Sequence, residues 1–189
     1  EKILDSETLS QVAIMQSYDT RFGFQTQPNN PQFGYESHIH DLYRGFFNQH
    51  VGVDIVSEKD ALTGFRVVIV PSMYLLSEET TYNLAEFARS GGIVVFTPRT
   101  GVKDDANAVV NMKLPGLAAE ICGVEIEEYK SMPPDDQETI HFDLPGYEGN
   151  FDVAIWAEVL EPQEAEVVAR FHRDEYTGRP GITRNRFGD

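Results

Sequence analysis

The chain predicts an α/β protein built on a wound parallel sheet, and three neighbouring features predict it. Residues 65–71 (FRVVIVP) form a continuous apolar run rich in valine. Such a run suits a strand covered on both faces, as strands of parallel sheets are. A helix signal follows. Ser77 is placed to cap it, Glu78 and Glu79 put negative charge in its first turn, and Leu84, Phe87 and Ala88 make an apolar stripe at helical spacing. Gly91 and Gly92 then end the helix, the first in a left-handed conformation, and residues 93–97 read as a second buried strand. Strand, crossover helix and parallel strand of this length form a right-handed βαβ unit.

The other elements extend that unit. Residues 1–10 read as a helical or irregular lead-in, and residues 11–18 (QVAIMQSY) as the first strand. Residues 21–34, rich in Asn, Gln, Pro and Gly, read as a loop long enough to be functional. Residues 35–50 are the clearest amphipathic helix, with Tyr35, Ile39, Leu42, Tyr43, Phe46 and Phe47 on one face. Residues 51–56 make a second strand. Residues 98–112 form a polar loop, and residues 114–121 a helix entered near Pro115 and stopped by Gly123. Beyond Gly123 the pattern changes to short strands at 124–129, 141–144, 151–160, 166–172 and 181–186, split by Gly or Pro turns. These suggest an antiparallel meander or an edge addition to the main sheet. The expected organisation is one domain over residues 1–189, with an α/β body at about 10–125 and a β-rich extension at about 126–189.

Bulk properties narrow the partners. The 189 residues carry a formal charge of −16, so nucleic acid and anionic membranes are poor electrostatic matches. A single cysteine, Cys122, leaves no internal disulfide and no multi-cysteine metal site. No stretch has the length of a transmembrane helix and no secretory signal is visible. The chain opens on Glu-Lys-Ile, as a fragment cut from a longer protein would.

Candidate chemical groups read mostly as structural. Cys122 falls at a helix end, where the dipole disfavours a thiolate, so it is expected to be a buried structural thiol. A nucleophile in a fold of this kind sits on a sharp turn after a strand. After residues 93–96 that turn holds Thr97, Pro98 and Arg99, and the proline offers no amide donor. His38 and His40, two apart, point to different sides of a helix and read as surface residues. Lys103-Asp104-Asp105-Ala106-Asn107 lacks the glycine and glutamate of a calcium loop. Tyr18 to Gly23 has too few glycines to cradle phosphate. No catalytic, metal-binding or cofactor-binding set is expected.

Several segments together carry a resemblance. VVIVPSMYLLSEETTYNLAEFARSGGIVVFTPRTGVKDDANAVV is followed by LPGLAAEICGVEIEEY, preceded by QTQPNNPQFGYESHIHDLYRGFFNQHVGVDIVS, and closed by GRPGITRNRFGD. In that order they resemble the middle domain of family-42 glycoside hydrolases, the β-galactosidases of bacteria and archaea. The resemblance implies a flavodoxin-like, class I glutamine amidotransferase-like wound sheet that lacks catalytic residues and serves as a trimerisation domain. It implies a cytoplasmic parent whose two catalytic glutamates lie in a separate barrel. The partners are then that barrel and the neighbouring subunits of a homotrimer, with galactoside met only through the parent and no cofactor.

A ring of three needs a heterologous interface, and interface anchors favour aromatic residues, Arg and Met. Phe22, Phe24, Tyr74, Arg99 and Lys103, read as lying on loops at one edge of the sheet, are the candidate contacts with a subunit or with its active-site wall. The alternative for Phe22 and Phe24 is that their rings cap the core. Two other functions compete. One is a stand-alone amidotransferase-like enzyme, and the other is a sugar-binding module using Trp156, the one tryptophan.

Overall fold

The computed structural model describes residues 10–188, so all but the last residue of the expected lead-in lies outside the described residues. The body opens with β1 (Val12–Gln16), α1 (Tyr18–Thr26), α2 (Tyr35–Asn48), β2 (Val53–Ser57), β3 (Val67–Val70), α3 (Glu78–Arg89) and β4 (Ile93–Phe96). The four strands form one parallel sheet in the order β2-β1-β3-β4. Alternation along each strand sends side chains to opposite faces. Ala13, Met15, Val68 and Val70 pack against Leu84 and Ala85 of α3 on one face. Val12, Ile14 and Ile69 pack against Phe24 of α1 and Tyr35 and Ile39 of α2 on the other. The sheet is therefore layered between helices, as the apolar runs require.

The body closes with α4 (Ala119–Cys122), a single turn entered through a 3-10 turn at Gly116–Ala118, whose Ile121 packs into the first core. Then come β5 (Val124–Ser131), β6 (Glu138–Leu144), β7 (Tyr147–Val153), β8 (Trp156–Pro162), β9 (Glu166–Phe171) and β10 (Pro180–Arg184). They build two antiparallel sheets, β5-β8 and β10-β9-β6-β7, around a small core of Met132, Ala157, Val159, Phe171 and Tyr176. The extension is thus not an added edge of the parallel sheet.

Several expectations are corrected. The first strand stops at Gln16 because Ser17 caps α1: its Oγ accepts the Thr20 N–H at 3.1 Å. The first part of the expected long loop, up to Thr26, is therefore helix. β4 is an edge strand rather than a buried one. No strand pairs with its outer side among the described residues, and Ile93 and Val95 are 58% and 39% exposed. The α2 stripe divides, with Tyr35 and Ile39 buried while Tyr43 and Phe47 stack on each other at the surface. The expected strand over 151–160 is two strands, parted where Ile155 turns to φ 72°. Gly91 and Gly123 do take left-handed angles, φ 89° and 64°, at their helix ends.

Candidate functional site

The carboxyl ends of β3 and β4 converge on a strained corner. Two residues there, Ser72 (φ 38°) and Arg99 (φ 71°), hold left-handed angles without being glycine. Each such angle costs about 1–3 kcal/mol and persists only where surrounding contacts enforce it. The enforcing bonds are present. Ser72 N–H donates to Thr97 Oγ1 at 2.8 Å, and Arg99 N–H donates to Glu158 Oε1 at 2.9 Å. Thr100 Oγ donates to the Thr97 carbonyl at 2.8 Å, closing the turn. Arg99 occupies the position after β4 where an elbow enzyme would carry its nucleophile.

The Arg99 side chain then folds inward, only 3% exposed. Its guanidinium lies 4.1 Å from the Tyr129 ring centre, 5.1 Å from Trp156 and 5.9 Å from Tyr74. This is an aromatic box of cation–π geometry. Lys103 reinforces it. Its ammonium sits 5.2 Å from the Tyr74 ring and donates to Asn107 Oδ1 at 2.7 Å. Phe24 stacks on the far side of Tyr74 at 4.6 Å, and Asn29 Nδ2 donates to the Tyr74 hydroxyl at 3.0 Å. The box is not fully satisfied. Arg99 Nε and Nη1 and Trp156 Nε1 are buried without an acceptor.

Electrostatics follow from burial. Glu158 is pushed up to about 7 by desolvation, against the lowering influence of the Arg99 amide and charge. His38 is half-buried rather than a free surface residue. Its Nε2 lies 3.0 Å from Thr97 Oγ1, and desolvation lowers its pKa against an opposing pull from Asp41. Tyr35 is raised to about 12 by burial; its oxygen accepts the Ser17 N–H.

Imidazole and threonine hydroxyl therefore meet, which is part of a nucleophile–base pair. The rest of an acyl-transfer site is blocked. Thr97 Oγ1 already accepts an amide, and the elbow amide that would stabilise an oxyanion is occupied by a carboxylate. Open space lies elsewhere. A cleft of about 290 Å³ is lined by Gln16, Tyr18, Asp19, Glu58 and Lys59 at the ends of β1 and β2, and one of about 230 Å³ by Asn30, Gln32 and Met132.

Of the residues proposed from sequence, Phe24, Tyr74, Arg99 and Lys103 come together at this corner, all buried within the chain. Phe22 and Phe24 lie on helix α1 and not on a loop. Phe24 lies in the core, whereas Phe22 remains 55% exposed. Cys122, pushed up to about 12 by burial with the Glu158 charge adding, packs against the first core. Trp156 is buried and offers no open platform for a sugar ring. Asp104 is used locally, its Oδ1 accepting the Ala106 and Ala108 N–H groups. Glu158, Tyr129 and His38 were not foreseen. Glu158 and Arg99 are 59 residues apart, so no local pattern marks the pair.

Fold and corner together define a mixed α/β domain whose elbow carries a braced arginine where a nucleophile would stand. The chain belongs to the β-galactosidase trimerisation domain family, which it matches over residues 10–189. It is 29% identical over 187 residues to the β-galactosidase BgaA of Clostridium cellulovorans, covering 99% of this chain and 28% of that protein. It is 30% identical over 186 residues to the β-galactosidase Bga of Halorubrum lacusprofundi, covering 94% and 27%. The crystal structure of the β-galactosidase from Bacillus circulans sp. alkalophilus superposes with a TM-score of 0.95 at 28% identity, over 99% of this chain and 28% of that one. The chain thus spans between a quarter and a third of the relatives it matches. Among the described residues no helix is long and apolar enough to cross a membrane.

Proposed function

We propose that this chain is the assembly element of a β-galactosidase, a single domain that holds three copies of its parent together while the parent's other segments cleave terminal β-galactosides. The observation that carries this reading is the elbow. Arg99 stands at its apex and Glu158 caps its amide, so the place where a wound sheet exposes reactive groups is devoted to bracing. The strand order β2-β1-β3-β4 supports the finer assignment to a flavodoxin-like, amidotransferase-like sheet, since flavodoxin-type sheets begin with the same order. The parent is read as a cytoplasmic protein, as the resemblance to family-42 β-galactosidases implies.

In this reading Phe22 meets the neighbouring subunit or its active-site wall directly. Phe24, Tyr74, Arg99 and Lys103 hold the shape of that wall from beneath. The test uses Phe22→Ala, Phe24→Ala and Arg99→Ala in the full-length protein. A loss of trimer mass in sedimentation, or altered galactoside kinetics, is expected. If both stay at wild-type values in all three variants, these residues have no such role.

A further inference from the structure

We infer that the aromatic box around Arg99 is a receptor for a carboxylate side chain contributed by a neighbouring copy of the chain. The inference rests on the assembly reading and gives that assembly a specific chemical contact. Three buried donors, Arg99 Nε and Nη1 and Trp156 Nε1, have no acceptor. Buried donors are almost always paired in native proteins, so three in one box mark a missing partner. The guanidinium centre lies 5.1 Å from the centre of the indole ring, so the donors belong to two adjoining side chains. Nearby charge asks for an anion. Lys103 adds a second buried cation beside Tyr74, and the carboxylate of Glu158 is bound to the Arg99 main chain instead of its guanidinium.

The source follows from charge. The chain has 31 acidic against 15 basic residues, so the surface another copy presents is rich in carboxylates, while this corner is a cationic exception. A ring of three joins unlike surfaces, which is what a cationic socket and an acidic protrusion supply. Tyr129, half-exposed and the nearest ring to the guanidinium, is the wall that an incoming carboxylate has to displace. When it turns aside, the two guanidinium edges face the incoming carboxylate. An arginine fork matches the two oxygens of a carboxylate, and the indole N–H adds a third donor.

The test is sedimentation of the full-length protein carrying this chain, over a range of concentrations, as wild type, Trp156→Phe and Arg99→Lys. The first variant keeps the ring and removes one donor; the second keeps the charge and removes the fork. Both are expected to dissociate at protein concentrations roughly tenfold or more above wild type, the scale of a lost charge-assisted hydrogen bond. A wild-type trimer whose variants dissociate at its own concentration overturns the receptor and leaves the assembly reading standing. A wild type that never sediments as a trimer overturns both. A second arm titrates sodium acetate against sodium chloride at equal ionic strength. If acetate raises the melting temperature of wild type but not of Trp156→Phe, while all three proteins form equally tight trimers, the site takes a free carboxylate and the inferred source is wrong.

Discussion

A carboxyl group beside an arginine is usually held low in pKa, yet Glu158 is raised to about 7. Burial outweighs the amide bond and the charge of Arg99, so the folded chain prefers the protonated acid. The sign follows directly. The folded pKa lies above the ordinary value of 4.5, so this preference stabilises the fold fully below about pH 4.5 and is lost as pH rises through about 7. The whole swing is at most about 3 kcal/mol, at 1.36 kcal/mol per unit. Urea denaturation of Glu158→Gln should show a midpoint close to wild type at pH 5 and a higher one at pH 8. A wild-type stability that is flat from pH 5 to 8 would show that Glu158 ionises normally. Cys122 gives a simpler case. With its thiol raised from 9.0 to about 12, its reaction with a disulfide reagent at pH 7.5 should be roughly a thousandfold slower than that of the unfolded chain. The sequence placed this thiol at a helix end and read it as inert. The structure supplies desolvation as the stronger cause.

At the scale of elements, legibility tracks local signal. α3 could be read because its cap, acidic first turn, apolar stripe and terminal glycines agree, and Ser77 Oγ does accept the Thr80 N–H at 3.1 Å. Ser77→Ala should lower stability by about 1 kcal/mol in thermal denaturation, while Ser77→Asp retains it. α1 could not be read so easily. It is short, carries Gly23 in its middle, and has little amphipathic contrast. The glycine answers to packing, since a Cβ there would stand 2.6 Å from Leu75 Cδ1. Ser17 followed by Asp19 was the available signal. β4 was misjudged because an apolar run reports hydrophobicity and not whether another layer lies over it. The corner itself depends on glycines whose partners are remote in sequence. Gly101 has φ 73°, and a Cβ on it would meet the Pro115 carbonyl oxygen at 2.3 Å. Gly101→Ala therefore combines backbone strain with a clash against main chain that cannot swing away. A loss of about 3 kcal/mol or more is expected by chemical denaturation. A loss below 1 kcal/mol would mean that the elbow loop and the 3-10 turn are not held this close.

For the whole molecule, the decisive fact is how the body and the β extension are tied. The core of the β sheets is distinct from the two cores of the body, although Phe187 packs back against the first of these and Phe33 meets Trp156 edge-on, and polar groups bridge the seam. Asn30, buried on the body side, donates through Nδ2 to Ser131 Oγ at 3.0 Å and to the Met132 carbonyl at 2.9 Å, while its Oδ1 accepts the Gln32 N–H. Glu158 makes the second tie, at the Arg99 amide. Both ties span long stretches of chain, which is why sequence periodicity disclosed the strands on each side but not the corner they create. Asn30→Ala removes the bonds of the first tie, while Gln32 Nε2 still donates to the Met132 carbonyl at 3.3 Å and the Met132 N–H to the Ile155 carbonyl at 2.9 Å. A lost hydrogen bond costs about 0.5–1.5 kcal/mol, so the variant should weaken the seam by about 1–2 kcal/mol. The loss should be local. Hydrogen exchange is expected to speed up in β5 and β8, where Met132 and Ile155 lie at the strand ends, while β1 and β3 keep their protection. Because Tyr129 and Trp156 ride on those two strands, the same variant should loosen the box around Arg99 without touching it, and weaken trimers of the full-length protein in proportion. Uniform acceleration across every strand would mean instead that body and extension unfold as one unit and that the seam has no independent give.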